Sequence, residues 1–114
     1  MHLLDTALIK EAMKRGEFNG LITNSHKQVV IIMTQSWCPQ WHKMRDYLEQ
    51  LASDNIYYFI YDQSEIFDEF RSFKETVFGN FEIPYLRFYK NGQLTATSNY
   101  LTESEFKKRL KELL

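Results

Sequence analysis

Trp37-Cys38-Pro39-Gln40-Trp41 holds the only cysteine of the chain and places it for thiol chemistry. The thiol follows a strand-like run, Val29 to Met33, and stands at the start of an expected helix. Unpaired backbone N–H groups and the positive end of a helix dipole favour a thiolate at such a position. A Cys-x-x-Cys couple needs a second cysteine at position 41, where tryptophan stands. The stretch has the setting of a redox site with half of the couple. Taken alone, a single cysteine is also the pattern of a small buried hydrophobe. The flanking Trp37 and Pro39 tip the reading toward an accessible thiol of lowered pKa. Any mixed disulfide at Cys38 then needs an external thiol to resolve it.

His42 lies four residues after Cys38, on the same face if the helix forms, and as an imidazolium it would further stabilise a thiolate. The plainer reading is a solvated helix histidine. Cys38 and His42 make only two metal ligands, with His2 and His26 far away in sequence, so no metal site is expected. No Ser-His-Asp constellation, glycine-rich phosphate loop or paired-carboxylate site competes with Cys38. The acidic set Asp62, Glu65, Asp68 and Glu69 and the basic run Lys107, Lys108, Arg109 and Lys111 read as solvated helix faces.

With 114 residues the chain is expected to form one domain over 1–114, large enough for a core without disulfide or metal staples. Nine Phe, seven Tyr and two Trp argue for a folded chain. The net charge of −1 gives no electrostatic case for nucleic acid or an anionic membrane. No apolar run approaches the roughly 20 residues of a membrane span. Met1-His2-Leu3-Leu4-Asp5 lacks a basic region followed by an apolar stretch, so no secretory signal is expected. One cysteine fits a reducing compartment, and the cytoplasm is the expected location.

The elements that position the thiol follow from periodicity and caps. Asp5-Thr6 starts a helix to about Arg15, stopped by Gly16. Residues 17–28 carry no firm signal beyond Leu21-Ile22. The β-branched run Val29-Val30-Ile31-Ile32-Met33 predicts a strand buried on both faces. Pro39 suits the first position of a helix continuing through Met44, Tyr47, Leu48 and Leu51 to about Ser53. Ile56 to Tyr61 predicts a second strand, closed by Asp62. Ile66, Phe67, Phe70, Phe73 and Val77 mark a third helix ending near Gly79-Asn80. Tyr85 to Tyr89 and Gln93 to Ser98 flank Asn91-Gly92, the signal of a tight hairpin. Thr102-Glu103-Ser104-Glu105 is a capping box ahead of a last helix with Phe106, Leu110 and Leu113. The expected class is α/β, a mixed sheet of parallel strands plus a C-terminal antiparallel hairpin, flanked by helices.

That order resembles the thioredoxin-like superfamily through four landmarks. They are the strand leading into Trp37-Cys38, Asp62 closing the next strand, Phe78-Gly79-Asn80-Phe81-Glu82-Ile83-Pro84 where the family leads into its cis-proline, and Phe88-Tyr89-Lys90-Asn91-Gly92-Gln93-Leu94 at its hairpin. The resemblance implies a cis Pro84 facing Cys38 across a substrate groove, with the backbone of Ile83 aimed at a bound peptide or thiol. It implies a catalytic role for Cys38 and a binding surface of Trp37, Pro39, Trp41, Phe81, Ile83, Pro84 and Tyr85. Trp41 is either a platform over the groove or a core residue under the helix. Trp37, Phe81 and Tyr85 either ring the groove or pack the loops together.

The chain also departs from the family pattern. The resolving cysteine is Trp41, the buried acid six residues before the first cysteine is Ile32, and the lysine paired with that acid is Tyr58. Pro39-Gln40 is closer to the Cys-Pro-x-x order of glutaredoxin-type sites. Two functions follow as expectations. One is monothiol exchange with protein or small-thiol disulfides, needing no bound cofactor but using glutathione as a possible co-substrate. The other is a redox-inactive binding module holding a peptide or partner protein beside Pro84. A cluster bridging two subunits through Cys38 and glutathione has no further supporting residue here.

Overall fold

Val29 to Met33 lie at the centre of the molecule and expose nothing to solvent. In the computed structural model, which describes residues 1–113, they belong to β2 (Gln28–Thr34). Leu114, the last residue of the expected domain, lies outside the described residues. β2 pairs in parallel with β3 (Ile56–Ile60) from Val30↔Ile56 to Thr34↔Ile60. On its other side it pairs antiparallel with β4 (Tyr85–Lys90) from Gln28↔Lys90 to Met33↔Tyr85. β1 (His2–Leu3) and β5 (Gln93–Ser98) complete the order β1-β3-β2-β4-β5. The sheet is therefore mixed, and its centre is covered on both faces.

Alternation along β2 divides the core in two. Val29, Ile31 and Met33 pack with Ile9 and Ala12 of α1 (Thr6–Arg15) and Phe70 and Phe73 of α4 (Phe67–Thr76). Val30 and Ile32 face Trp41, Met44 and Leu48 of α3 (Pro39–Leu51) and Phe106 of α5 (Glu103–Glu112). Period-2 strands and period-3.6 helices meet here, as the apolar patterns require.

The ends of these elements are fixed by the residues that signalled them. The Leu8 N–H donates to Asp5 Oδ1 at 2.9 Å, and Gly16 ends α1 with φ 80°. Thr102 and Glu105 form the reciprocal capping box of α5. Asn91 and Gly92 both take positive φ, 51° and 81°, as a tight hairpin turn needs.

Two elements exceed the sequence expectation. β1 is a two-residue strand paired in parallel with β3 (His2↔Tyr57, Leu3↔Tyr58). The unassigned 17–28 stretch contains α2 (Gly20–Thr23), capped where the Leu21 N–H donates to Asn19 Oδ1 at 2.7 Å. The expected second strand stops at Ile60, and Tyr61–Gln63 form a 3-10 turn. Among the described residues no helix is long and apolar enough to cross a membrane.

Candidate functional site

Cys38 is the N-cap of α3, with Pro39 in the first turn. Its carbonyl accepts the first helical hydrogen bond, from the His42 N–H at 3.1 Å. Its own side chain makes no cap bond to the helix. The sulfur lies 3.9 Å from the carbonyl oxygen of Ile83, and the residue is 4% exposed, so the thiol expected to be accessible is instead buried under that segment. The Ile83–Pro84 peptide bond is cis. α3 and the segment leading into β4 therefore meet at Cys38 and Ile83.

The loop that delivers Cys38 is tied down residue by residue. Ser36 donates its N–H to Asp62 Oδ1 at 2.8 Å and its hydroxyl to Oδ2 at 2.5 Å. Gln35 Nε2 donates to the Tyr61 hydroxyl at 3.1 Å, and Trp37 Nε1 donates to Gln35 Oε1 at 2.6 Å. Asp62, read from sequence as part of a solvated acidic face, is instead the anchor of this loop. His42 Nε2 donates to the Ser36 carbonyl at 2.5 Å, so this ring nitrogen braces the loop.

Trp41 is corrected from the groove to the core. It is 1% exposed and stacks with Tyr58 at 5.7 Å between ring centroids. Three residues into α3 the side chain points at the sheet, on the same stripe as Met44 and Leu48. Ile32 and Tyr58 are register partners across β2 and β3. Thus the three positions where the resemblance calls for an acid, a lysine and a second cysteine pack as one apolar and aromatic group beneath Cys38. Nothing there accepts a proton from the thiol through a carboxylate.

Tyr85 is likewise corrected. It is 2% exposed, and its hydroxyl accepts from Arg87 Nη1 at 2.9 Å. Alternation along β4 turns Tyr85, Arg87 and Tyr89 toward α1 and α4. There Arg87 Nη2 meets Glu17 Oε2 at 2.5 Å, its guanidinium lies 4.0 Å from the Phe78 ring centroid, and the Tyr89 hydroxyl donates to Glu17 Oε1.

The remaining expected residues divide by exposure. Trp37 is 63% exposed, Phe81 76%, and Pro39 is exposed, so two large aromatic side chains, one in the cysteine loop and one in the segment before Pro84, face solvent. Ile83 is half-buried and Pro84 buried. An open groove of about 500 Å³ is lined by Gln40, Phe81, Glu82, Ile83, Asn99 and Tyr100. Gln40, Glu82, Asn99 and Tyr100 were not singled out from sequence, because they come together only through the fold.

Lys74 is the other residue missed. It lies on the inner face of α4, 1% exposed, with its ammonium group directed at the loop before Pro84. Nζ donates to the Asn80 carbonyl (3.0 Å), to Asn80 Oδ1 (3.0 Å) and to the Glu82 carbonyl (2.7 Å). Burial pushes its pKa down to about 8, against the opposing pull of Glu75 and Glu82. Among the described residues no group of three or more His, Cys, Asp or Glu side chains gathers in a metal-holding arrangement.

No family model and no curated protein matches the sequence. The fold does match solved structures. Plasmodium falciparum thioredoxin superposes with a TM-score of 0.67 at 15% identity over 100% of both chains. Oxidised thioredoxin O1 from Arabidopsis thaliana gives 0.65 at 16% identity, covering 97% of this chain and 95% of its own. A buckwheat glutaredoxin in complex with glutathione gives 0.60 at 14% identity, covering 97% and 94%. Sheet order, the helix that begins at Cys38 and these superpositions agree: the chain has the thioredoxin-like fold, built around a single cysteine.

Proposed function

We propose that this protein carries out monothiol disulfide exchange through Cys38. The observation that carries the reading is the placement of the sulfur at the N-terminus of α3, facing Ile83. The Cys38 thiolate attacks one sulfur of a disulfide R–S–S–R′. A Cys38–S–S–R bond forms, the S–S bond of the substrate breaks, and R′S⁻ leaves with the electron pair and takes a proton from solvent. A second, external thiol then attacks the mixed disulfide and regenerates Cys38. Trp41 occupies the position of an internal resolving thiol, so resolution is intermolecular.

Glutathione is the proposed external thiol, in keeping with the Cys-Pro order and with the fold shared with a glutathione-bound glutaredoxin. Substrates are disulfides of proteins or small thiols, with Trp37 and Phe81 as the exposed apolar contacts. The cytoplasm, where reduced thiols are abundant, is the proposed setting.

Turnover of a small disulfide tests this. Reduction should proceed with glutathione and its recycling system and vanish in Cys38→Ser. Thioredoxin reductase as the only recycling system should support no insulin reduction. Robust turnover with that reductase alone, or glutathione-driven turnover that survives Cys38→Ser, overturns the proposal.

A further inference from the structure

Lys74 has no evident reason to be a lysine if α4 only packs against the sheet. Its ammonium is buried, and desolvating a charge is costly unless its donors are satisfied. Its three hydrogen bonds all go to amide oxygens of one short segment, the Asn80 carbonyl, Asn80 Oδ1 and the Glu82 carbonyl. That segment has little apolar burial of its own, since Gly79, Phe81 and Glu82 are exposed. Asn99 Nδ2 holds it from the far side, donating to the Pro84 carbonyl at 3.0 Å and to Asn80 Oδ1 at 3.2 Å.

The same segment runs on to Ile83, whose carbonyl lies over the Cys38 sulfur. Cys38 is buried although its neighbours Trp37 and Pro39 are exposed, so its cover is local. We propose that Lys74 is a positioning residue for the site: by fixing residues 80–82 it holds Ile83 over Cys38 and sets how readily a reagent or substrate reaches the sulfur. The inference rests on the reading of Cys38 as the reacting thiol. Its test reads alkylation of the sulfur and no disulfide exchange, so failure of either reading is seen separately.

The experiment is the rate of Cys38 alkylation by iodoacetamide at pH 7 in increasing urea below the unfolding transition. Removal of the ammonium in Lys74→Met takes the Lys74 donor from the Asn80 and Glu82 oxygens, leaving the segment to Asn99 and its own Glu82 N–H, and should raise the rate about tenfold. The increase should be independent of urea, because it reports a local opening of the loop and not global unfolding. Asn80→Ala removes one acceptor without leaving a buried charge unpartnered, so it serves if Lys74→Met does not fold. It should raise the rate about threefold. A folded Lys74→Met with the wild-type rate, an increase that grows with urea as stability falls, or an unchanged rate in Asn80→Ala each overturns the proposal.

Discussion

The two faces of the sheet are built on different rules. Beneath Cys38, between the sheet and α3 with α5, Ile32, Tyr58, Trp41, Met44 and Phe106 pack with no charged side chain among them. On the opposite face Lys74 and Arg87 are both buried, and each is surrounded by partners. Arg87 reaches Glu17 and the hydroxyls of Tyr85 and Tyr89, while Lys74 reaches the loop before Pro84. Buried charged side chains hold backbone and strands in place on one face, and none is among the residues that pack beneath Cys38. The lesson is that a thioredoxin-like fold does not need a buried acid beneath its cysteine to be well packed. Under the proposed function, the chemistry of Cys38 is what helix position and an external thiol supply.

The largest effect is expected on the apolar face. Trp41→Cys recreates a Cys-x-x-Cys spacing and empties the volume of a fully buried indole. A loss of about 3–4 kcal/mol in unfolding free energy is expected, read from urea or thermal melts. The variant should nonetheless form an internal disulfide under mild oxidation, seen by thiol counting, because positions 38 and 41 lie one turn apart at the start of α3. Its dithiol reductase activity should be weak, since Ile32 and Tyr58 offer no acid or lysine to move protons. A folded variant that keeps two free thiols after oxidation would show that the side chain of residue 41 does not reach the sulfur.

On the polar face the probe is pH. Lys74 binds its proton more weakly in the folded chain, near 8, than at the ordinary lysine value of 10.5. Between those values the unfolded chain holds more protons, so stability rises with pH. The gain from pH 8 to pH 10 should be about 2 kcal/mol. Beyond about pH 10 the sign reverses. Burial raises the Tyr47, Tyr61 and Tyr89 hydroxyls above their ordinary value, so the folded state holds those protons longer and stability falls as pH climbs. Lys74→Met should lose the rise and keep the fall. A wild-type curve that is flat from pH 8 to 10 would break the contrast between the faces.

Much of this was legible in the sequence, for reasons that differ by element. The β-branched run of β2, Asn91-Gly92 and the Thr102 capping box each encode structure within a few residues, and each lies where expected. β1 and α2 were missed because a two-residue strand and a four-residue helix are too short for their periods to repeat. Trp41 carried a usable signal: its spacing to Met44 and Leu48 pointed inward, and that spacing outweighs the chemistry of its neighbour. Tyr85 carried one too, since alternation places it on one face with Arg87 and Tyr89. Lys74 gave none. A single lysine in an amphipathic helix reads as solvated, and its partners, Asn80 and Glu82, become acceptors only when the loop folds back over α4.

The central claim is that Cys38 exchanges with disulfides and depends on an outside thiol for release. Intact-mass analysis tests it most directly, after reduced protein is mixed with glutathione disulfide and all free thiol is removed. One glutathione adduct per chain is predicted, located on Cys38, stable over time and cleared by added glutathione. No adduct on folded protein under conditions that label the urea-unfolded chain, or an adduct that disappears without any added thiol, would contradict the account.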